Sequence, residues 1–147
     1  MGFDLRPYNS SDYDFVYNVK KIVYKTYVEM NWDEWNEEEQ RELFKSFIDG
    51  TKNEIKIIVI DGTMAGFFHG HDIDLNNYEI GNICLLPVFQ GNGIGTRILK
   101  SLIETHKNQD IYLRFFKQNP VVSLYKRLGF EICEELPHHY KMVLKQK

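Results

Sequence analysis

Six residues, Gln90-Gly91-Asn92-Gly93-Ile94-Gly95, join the apolar run Ile83-Cys84-Leu85-Leu86 to a helical run from Ile94 to His106. A turn of bare amides leading into a helix N-terminus is a cradle for the oxygens of a phosphorylated ligand. Glycine suits it because a side chain would hold the backbone away from a pyrophosphate, and because such turns often need positive φ. An anionic ligand is therefore expected. Spacing argues against two of the patterns that bind phosphate. A dinucleotide fingerprint counted from Gly91 puts its third glycine at Thr96, and the next strand ends in Lys117 where a ribose-binding carboxylate belongs. A P-loop requires a Gly-Lys pair, and the chain has none.

The pattern that fits is Gln/Arg-x-x-Gly-x-Gly/Ala, matched by Gln90, Gly93 and Gly95. In this the chain resembles the GNAT acetyltransferase superfamily, whose members bind the pyrophosphate of acetyl-CoA with that motif. Asn119-Pro120-Val121-Val122-Ser123-Leu124-Tyr125-Lys126-Arg127-Leu128-Gly129-Phe130 is similar to the family's second signature, an Asn-to-Tyr helix ending in Leu-Gly-Phe. The resemblance spans the whole chain, with specific motifs from about Ile83 to Phe130. It implies a single domain over residues 1–147, of the GNAT α/β fold: a mixed central sheet of about seven strands, splayed at the cofactor site, with about four helices.

The resemblance further implies that the pantetheine arm of acetyl-CoA enters a splay between the strand ending at Leu86 and the strand ending at Phe116. Main-chain groups around Cys84, Leu85 and Leu86 would pair with it, and an N–H near Leu85 would stabilise the oxyanion. Gln90, Gly91, Asn92, Gly93, Ile94, Gly95 and Thr96 would surround the phosphates. The family often carries Arg or Lys where Asn92 stands, so phosphate binding shifts here onto backbone amides and Arg97. Tyr125 takes the place of the tyrosine that serves as acid for the departing thiolate; the alternative is a core aromatic. Asn119 is either a pantetheine contact or simply part of an Asn-Pro helix start.

A base for the amine is sought on the strand entering the splay. Glu79 shares parity with Gly81, Ile83 and Leu85, and some family members use a strand glutamate of this kind through water. Its alternative is an exposed strand carboxylate. His69 and His71 alternate on the neighbouring strand, so His71 is a candidate at the acceptor, with an ordinary strand position as the rival reading. No His/Cys/Asp/Glu spacing suggests zinc, and no metal is expected. Cys84 as an acetyl carrier is disfavoured against a buried structural thiol.

In the GNAT fold the first two helices and their connection roof the acceptor. Here they hold Tyr24, Tyr27, Glu29, Trp32, Asp33, Glu34, Trp35 and Glu37–Glu39. Aromatic walls beside carboxylates suit a cationic amine, whether small molecule or peptide, with Tyr27 and Trp32 as contacts. Equally, acidic residues favour the first turn of a helix, and the tryptophans would close the core.

The elements that must position these groups follow from periodicity. Phe3 to Arg6 alternates as a first strand, and Ser11 with Asp14 starts a helix whose stripe is Phe15, Val19, Ile22 and Val23. Asn36 with Glu39 caps a second helix with stripe Leu43, Phe44, Phe47 and Ile48, ended by Gly50. Ile55 to Ile60, the Asp61-Gly62 pair and Met64 to His71 form a hairpin. Asp72 to Asn77 reads as a loop into the strand Tyr78 to Leu86. Ile94, Ile98, Leu99, Leu102 and Ile103 mark the central helix. A strand at Asp110 to Phe116, a helix at Val121 to Leu128, and strands at Phe130 to Leu136 and Tyr140 to Leu144 complete the order β-α-α-β-β-β-α-β-α-β-β. The apolar last strand is expected to be an edge or to pair across a homodimer.

At 147 residues, 43% hydrophobic and 27% charged, the chain suits one globular domain. A net charge of −3 lacks the basic footprint of a nucleic-acid partner. No apolar run suits a membrane span, and the first residues do not read as a signal peptide. With Cys84 and Cys133 as the only cysteines, both placed in strands as buried thiols, a cytoplasmic location is expected.

Overall fold

The computed structural model describes residues 2–147. Seven strands follow the order β1-β2-β3-β4-β5-β7-β6 in one mixed sheet, accompanied by four α-helices. The chain divides into two compact units, one running up to His69 and resuming over Asn82–Ile94, the other made of Gly70–Gly81 and Gly95–Lys147.

In the first unit, strand β1 (Phe3–Pro7) pairs antiparallel with β2 (Ile55–Ile60). Helix α1 (Tyr13–Asn31) begins through a short turn capped two residues earlier than Ser11-Asp14 suggested. Asn9 Oδ1 accepts from the Ser11 amide and Asp12 Oδ2 from the Asn9 amide, each at 3.0 Å. Arg6 fixes this choice by gripping the buried Asp12 carboxylate with two bonds of 2.8 and 2.9 Å. The inner face of α1 is also shifted: Val16, Tyr17 and Val19 are buried, Lys20, Val23 and Tyr24 are half-buried, and Ile22 is exposed. Helix α2 (Glu37–Thr51) carries the expected Asn36 cap, which accepts from the Glu39 amide at 2.9 Å. It runs one residue past Gly50 and leaves Leu43 in solvent.

Phe44 and Ile48 of α2 close with Val16, Tyr17 and Val19 on Ile55, Ile57, Phe67 and Cys84, and the Tyr13 and Tyr17 rings meet Phe44 edge-on at 5.0 and 5.2 Å. Burying each large side chain of this kind contributes about 1.5–3 kcal/mol. The hairpin from β2 to β3 (Thr63–Asp74) turns on Asp61 and Gly62, both at positive φ as a two-residue primed turn requires.

In the second unit the polar tract 72–77 is not a loop. β3 continues to Asp74 and β4 (Asn77–Leu85) starts three residues later, because Asp74 accepts from the Asn76 amide at 2.8 Å and the Asn77 side chain at 3.0 Å, tightening the turn. β4 pairs parallel with β5 (Asp110–Phe116) from Asn77↔Asp110 to Ile80↔Leu113, so this ladder stops short of both strand ends. Helix α3 (Ile94–Thr105) buries Ile98, Leu99 and Leu102. β7 (His139–Leu144) is paired on both sides, by β5 and by β6 (Glu131–Glu135), which corrects the expectation that the last strand is an edge. Its Met142 and Val143 are buried, whereas β6 is exposed throughout and takes Cys133 with it, contrary to the expected buried thiol. Gly129 ends the short helix α4 (Val122–Arg127) at φ 102°.

Candidate functional site

In the first unit the end of β4 lies flat on β3. The Leu86 amide donates to the Ala65 carbonyl at 2.9 Å. Gly66 makes the approach possible: a β-carbon there would sit 1.8 Å from the Cys84 carbonyl oxygen. Gln90 Nε2 donates to the Leu85 carbonyl at 2.8 Å, tying the first residue of the motif back to the strand end.

Gly91 and Gly93 have φ of 81° and 82°, and a β-carbon on either would meet nothing within 4 Å. Both positions therefore require glycine for conformation and leave open space in front of the backbone. Asn92 Oδ1 accepts from the Ile94 amide at 3.3 Å, a local cap at the start of α3. Gly95 and Thr96 follow in the first turn.

Cys84 is 1% exposed, and burial pushes its thiol up to about 12. It donates to the Tyr24 hydroxyl at 3.4 Å, which also accepts from Asn82 Nδ2 at 2.8 Å. Asn82 and Lys20 were not among the residues the sequence singled out. A polar side chain inside the run Ile80–Leu86 was a signal for the first, and a lysine four residues after Val16 was a signal for the second.

The α1–α2 connection uses most of its acids internally. Glu29 accepts from the Trp35 amide at 3.1 Å and Asp33 from the Glu34 amide at 2.8 Å. Glu37 takes Lys21 at 2.8 Å, the Trp35 indole N–H at 2.9 Å and Arg41 at 3.1 Å. Lys21 first, then Trp35, holds the Glu37 carboxyl down to about 2. Trp35 packs against the core, Tyr27 is half-buried, and Trp32 is 56% exposed. His69 is buried, 3.0 Å from Glu54 and edge-on to Phe47 at 5.3 Å.

In the second unit Glu79 and His71 come together, Nε2 to Oε1 at 3.7 Å, both half-buried. Glu79 alternates with the buried Tyr78 and Ile80. That alternation does not persist along β4, since Cys84 and Leu85 are both buried, so parity alone does not carry the Glu79 face to Leu85. Tyr125 is half-buried on α4, its ring 5.5 Å from Phe115 and 5.8 Å from Phe130. Asn119 Oδ1 accepts from the Val121 amide at 3.2 Å, so it does help start the helix. Its carboxamide nitrogen makes no hydrogen bond among the described residues. No helix is long and apolar enough to cross a membrane among the described residues.

Residues 23–130 match the profile described as the acetyltransferase (GNAT) family. The chain is 33% identical over 88 residues to the spermine/spermidine N(1)-acetyltransferase of Bacillus subtilis, covering 55% of this chain and 58% of that protein. It is 33% identical over 67 residues to an N-alpha-acetyltransferase of Sulfurisphaera tokodaii, covering 42% and 40%. The chain thus spans less than two thirds of the length of these relatives. Among solved structures, the PaiA N-acetyltransferase of Thermoplasma acidophilum in complex with coenzyme A superposes with a TM-score of 0.72 at 18% identity over 99% of both chains. PH1933 of Pyrococcus horikoshii superposes with a TM-score of 0.77 at 16% identity, again over 99% of both.

Proposed function

This chain belongs to the acetyltransferase (GNAT) family, and we propose that it moves an acetyl group from acetyl-CoA to a primary amine by direct attack in a ternary complex. The observation that carries the reading is the glycine turn, where Gly91 and Gly93 adopt positive φ with open space before them as α3 begins. That cradle suits a pyrophosphate and is costly to keep without one, because each glycine loses more conformational freedom on folding than any other residue.

Acetyl-CoA supplies an activated acetyl thioester. Gln90 to Thr96 would hold its phosphates, chiefly through main-chain amides, and Asn119 would offer its carboxamide nitrogen to the pantetheine. The Leu85 N–H would donate to the thioester oxygen as negative charge grows there. The amine nitrogen forms its bond to the acetyl carbon while the carbon–sulfur bond breaks. Glu79, working through water, takes the proton the amine loses, and Tyr125 gives its phenolic proton to the sulfur. With ordinary pKa values of about 10 for a phenol and about 8.5 for a thiol, that last transfer is uphill by roughly 2 kcal/mol. This is small beside the barrier a positioned acid removes.

The test is mass-spectrometric detection of acetylated product from purified protein, acetyl-CoA and a pooled panel of amino acids, peptides, polyamines and aminoglycosides. A product that depends on protein supports the reading. In Tyr125→Phe, coenzyme A binding should be unchanged and transfer should fall by about 10²- to 10⁴-fold. Acetyl-CoA bound without product across the panel would favour a non-catalytic acyl-CoA-binding module instead.

A further inference from the structure

Two adjacent lysines on α1 meet different fates. Lys21 reaches Glu37 at 2.8 Å, whereas Lys20, half-buried on the inner face, makes no ion pair and no hydrogen bond among the described residues. The Lys20 ammonium lies 4.3 Å from the centre of the Phe47 ring and 5.8 Å from that of Phe44. Its polar neighbour is the Cys84 thiol, whose raised pKa keeps it neutral at pH 7 and so provides no counter-charge. Burial pushes the pKa of Lys20 down.

An ammonium carries three N–H donors and no acceptor. Withdrawing it from water is costly unless an anion or hydrogen-bond acceptors replace the lost hydration. Aromatic faces offset only part of that cost. Three acids of the α1–α2 connection are committed elsewhere: Glu29 to the Trp35 amide, Asp33 to the Glu34 amide, and Glu37 to Lys21, Trp35 and Arg41. A positive charge is therefore set beside Cys84, the residue preceding the Leu85 N–H, with no anionic partner among the described residues. Tyr24, one turn further along α1, bonds Asn82 and Cys84 and fixes the helix at this height over β4.

We propose that Lys20 binds the carboxylate of the amine acceptor, so that the acceptor is a small amino carboxylate, of the amino-acid class, rather than a polyamine. One unpaired ammonium matches the single charge of a carboxylate better than the double charge of a phosphate, for which paired cations or a guanidinium fork are the usual solution. The assignment rests on the acetyl-transfer reading and adds the acceptor class to it.

The test pairs each amino acid with the amine lacking its carboxylate: lysine with cadaverine, ornithine with putrescine, tyrosine with tyramine. With acetyl-CoA and the full chain, kcat/KM should favour the amino acid of at least one pair by about 10- to 100-fold, the worth of a hydrogen bond to a charged group. Lys20→Met should raise KM for that amino acid by a similar factor and bring the ratio toward one, leaving KM for acetyl-CoA unchanged; Lys20→Gln serves if the first variant does not fold. Equal or better use of the decarboxylated amines, or an unchanged ratio in the variant, overturns the proposal. If neither class is acetylated, the wider panel still tests the transfer reading, and thermal shifts decide on Lys20. Amino acids, and not the decarboxylated amines, should raise the melting temperature of the wild type and not of Lys20→Met; no such difference refutes the carboxylate site.

Discussion

Gly66→Ala should damage both the fold and the proposed chemistry. The new β-carbon would lie 1.8 Å from the Cys84 oxygen, 2.9 Å from the Cys84 carbonyl carbon and 3.0 Å from the Leu85 α-carbon. All three are backbone atoms, so no side-chain rotation relieves the clash. Restoring even 3.0 Å to the oxygen requires β3 and β4 to part by roughly 1.2 Å, which stretches the 2.9 Å bond from the Leu86 amide to the Ala65 carbonyl. Overpacking of this kind costs about 1–3 kcal/mol, with a weakened strand bond adding about 1 kcal/mol. A loss of roughly 3 kcal/mol lowers the melting temperature by about 10 °C in a domain this size. A displacement near 1 Å at the end of β4 also moves the Leu85 N–H, and misplacement on that scale costs about 10²-fold in rate. Urea unfolding and single-turnover acetyl transfer measure the two effects. An alanine variant that unfolds at the wild-type urea midpoint and transfers acetyl at the wild-type rate would refute the reasoning.

Three further outcomes are expected. Gly93→Ala should cost only about 1–2 kcal/mol of stability, because φ of 82° strains an alanine while its β-carbon meets open space. Coenzyme A affinity, measured by calorimetry, should fall about tenfold or more, and an unchanged affinity would take the turn out of the phosphate site. The Glu37 carboxyl, at about 2 in the fold against an ordinary 4.5, contributes stability that is fully present above about pH 4.5 and is lost as the pH falls toward 2. Urea midpoints should therefore decline less steeply across that window in Glu37→Gln than in the wild type, and parallel curves would contradict the pairing. At pH 8 iodoacetamide should modify the exposed Cys133 and spare Cys84, whose thiol is buried with a pKa near 12. Peptide mapping that finds acetyl or alkyl groups on Cys84 would revive a covalent route.

What the sequence made legible was local chemistry. The Asp61-Gly62 turn, the Asn36 cap and the positive φ of Gly91 and Gly93 each depend on a few consecutive residues, and each is found as expected. The departures involve contacts outside the repeat of a helix or a strand. The cap at Asn9 and Asp12 is chosen by Arg6, a contact that periodicity does not encode. β7 is interior because β6 folds back outside it, and strand order is invisible to an alternation pattern. The inner face of α1 is shifted toward Val16 and Lys20 because several of its residues are apolar, and only packing on Phe44 and Cys84 selects among them. The same packing decides which aromatic side chain meets β4: Tyr24 does, through Asn82, while Trp32 stays in solvent.

The two outermost strands bear on how the molecule behaves in crowded solution. β1 ends in Pro7, which has no N–H to lend to a newcomer, and among the described residues pairs with β2 alone. β6 is five residues long, breaks register at Ile132/Glu134, and holds Glu131, Glu134 and Glu135 in solvent. Another copy approaching edge to edge would meet a missing donor at one border and a kinked row of like charges at the other. Both borders resist runaway strand stacking. Concentrated preparations should stay clear of fibrils, and any self-association has to use helix or loop surfaces rather than extend the sheet.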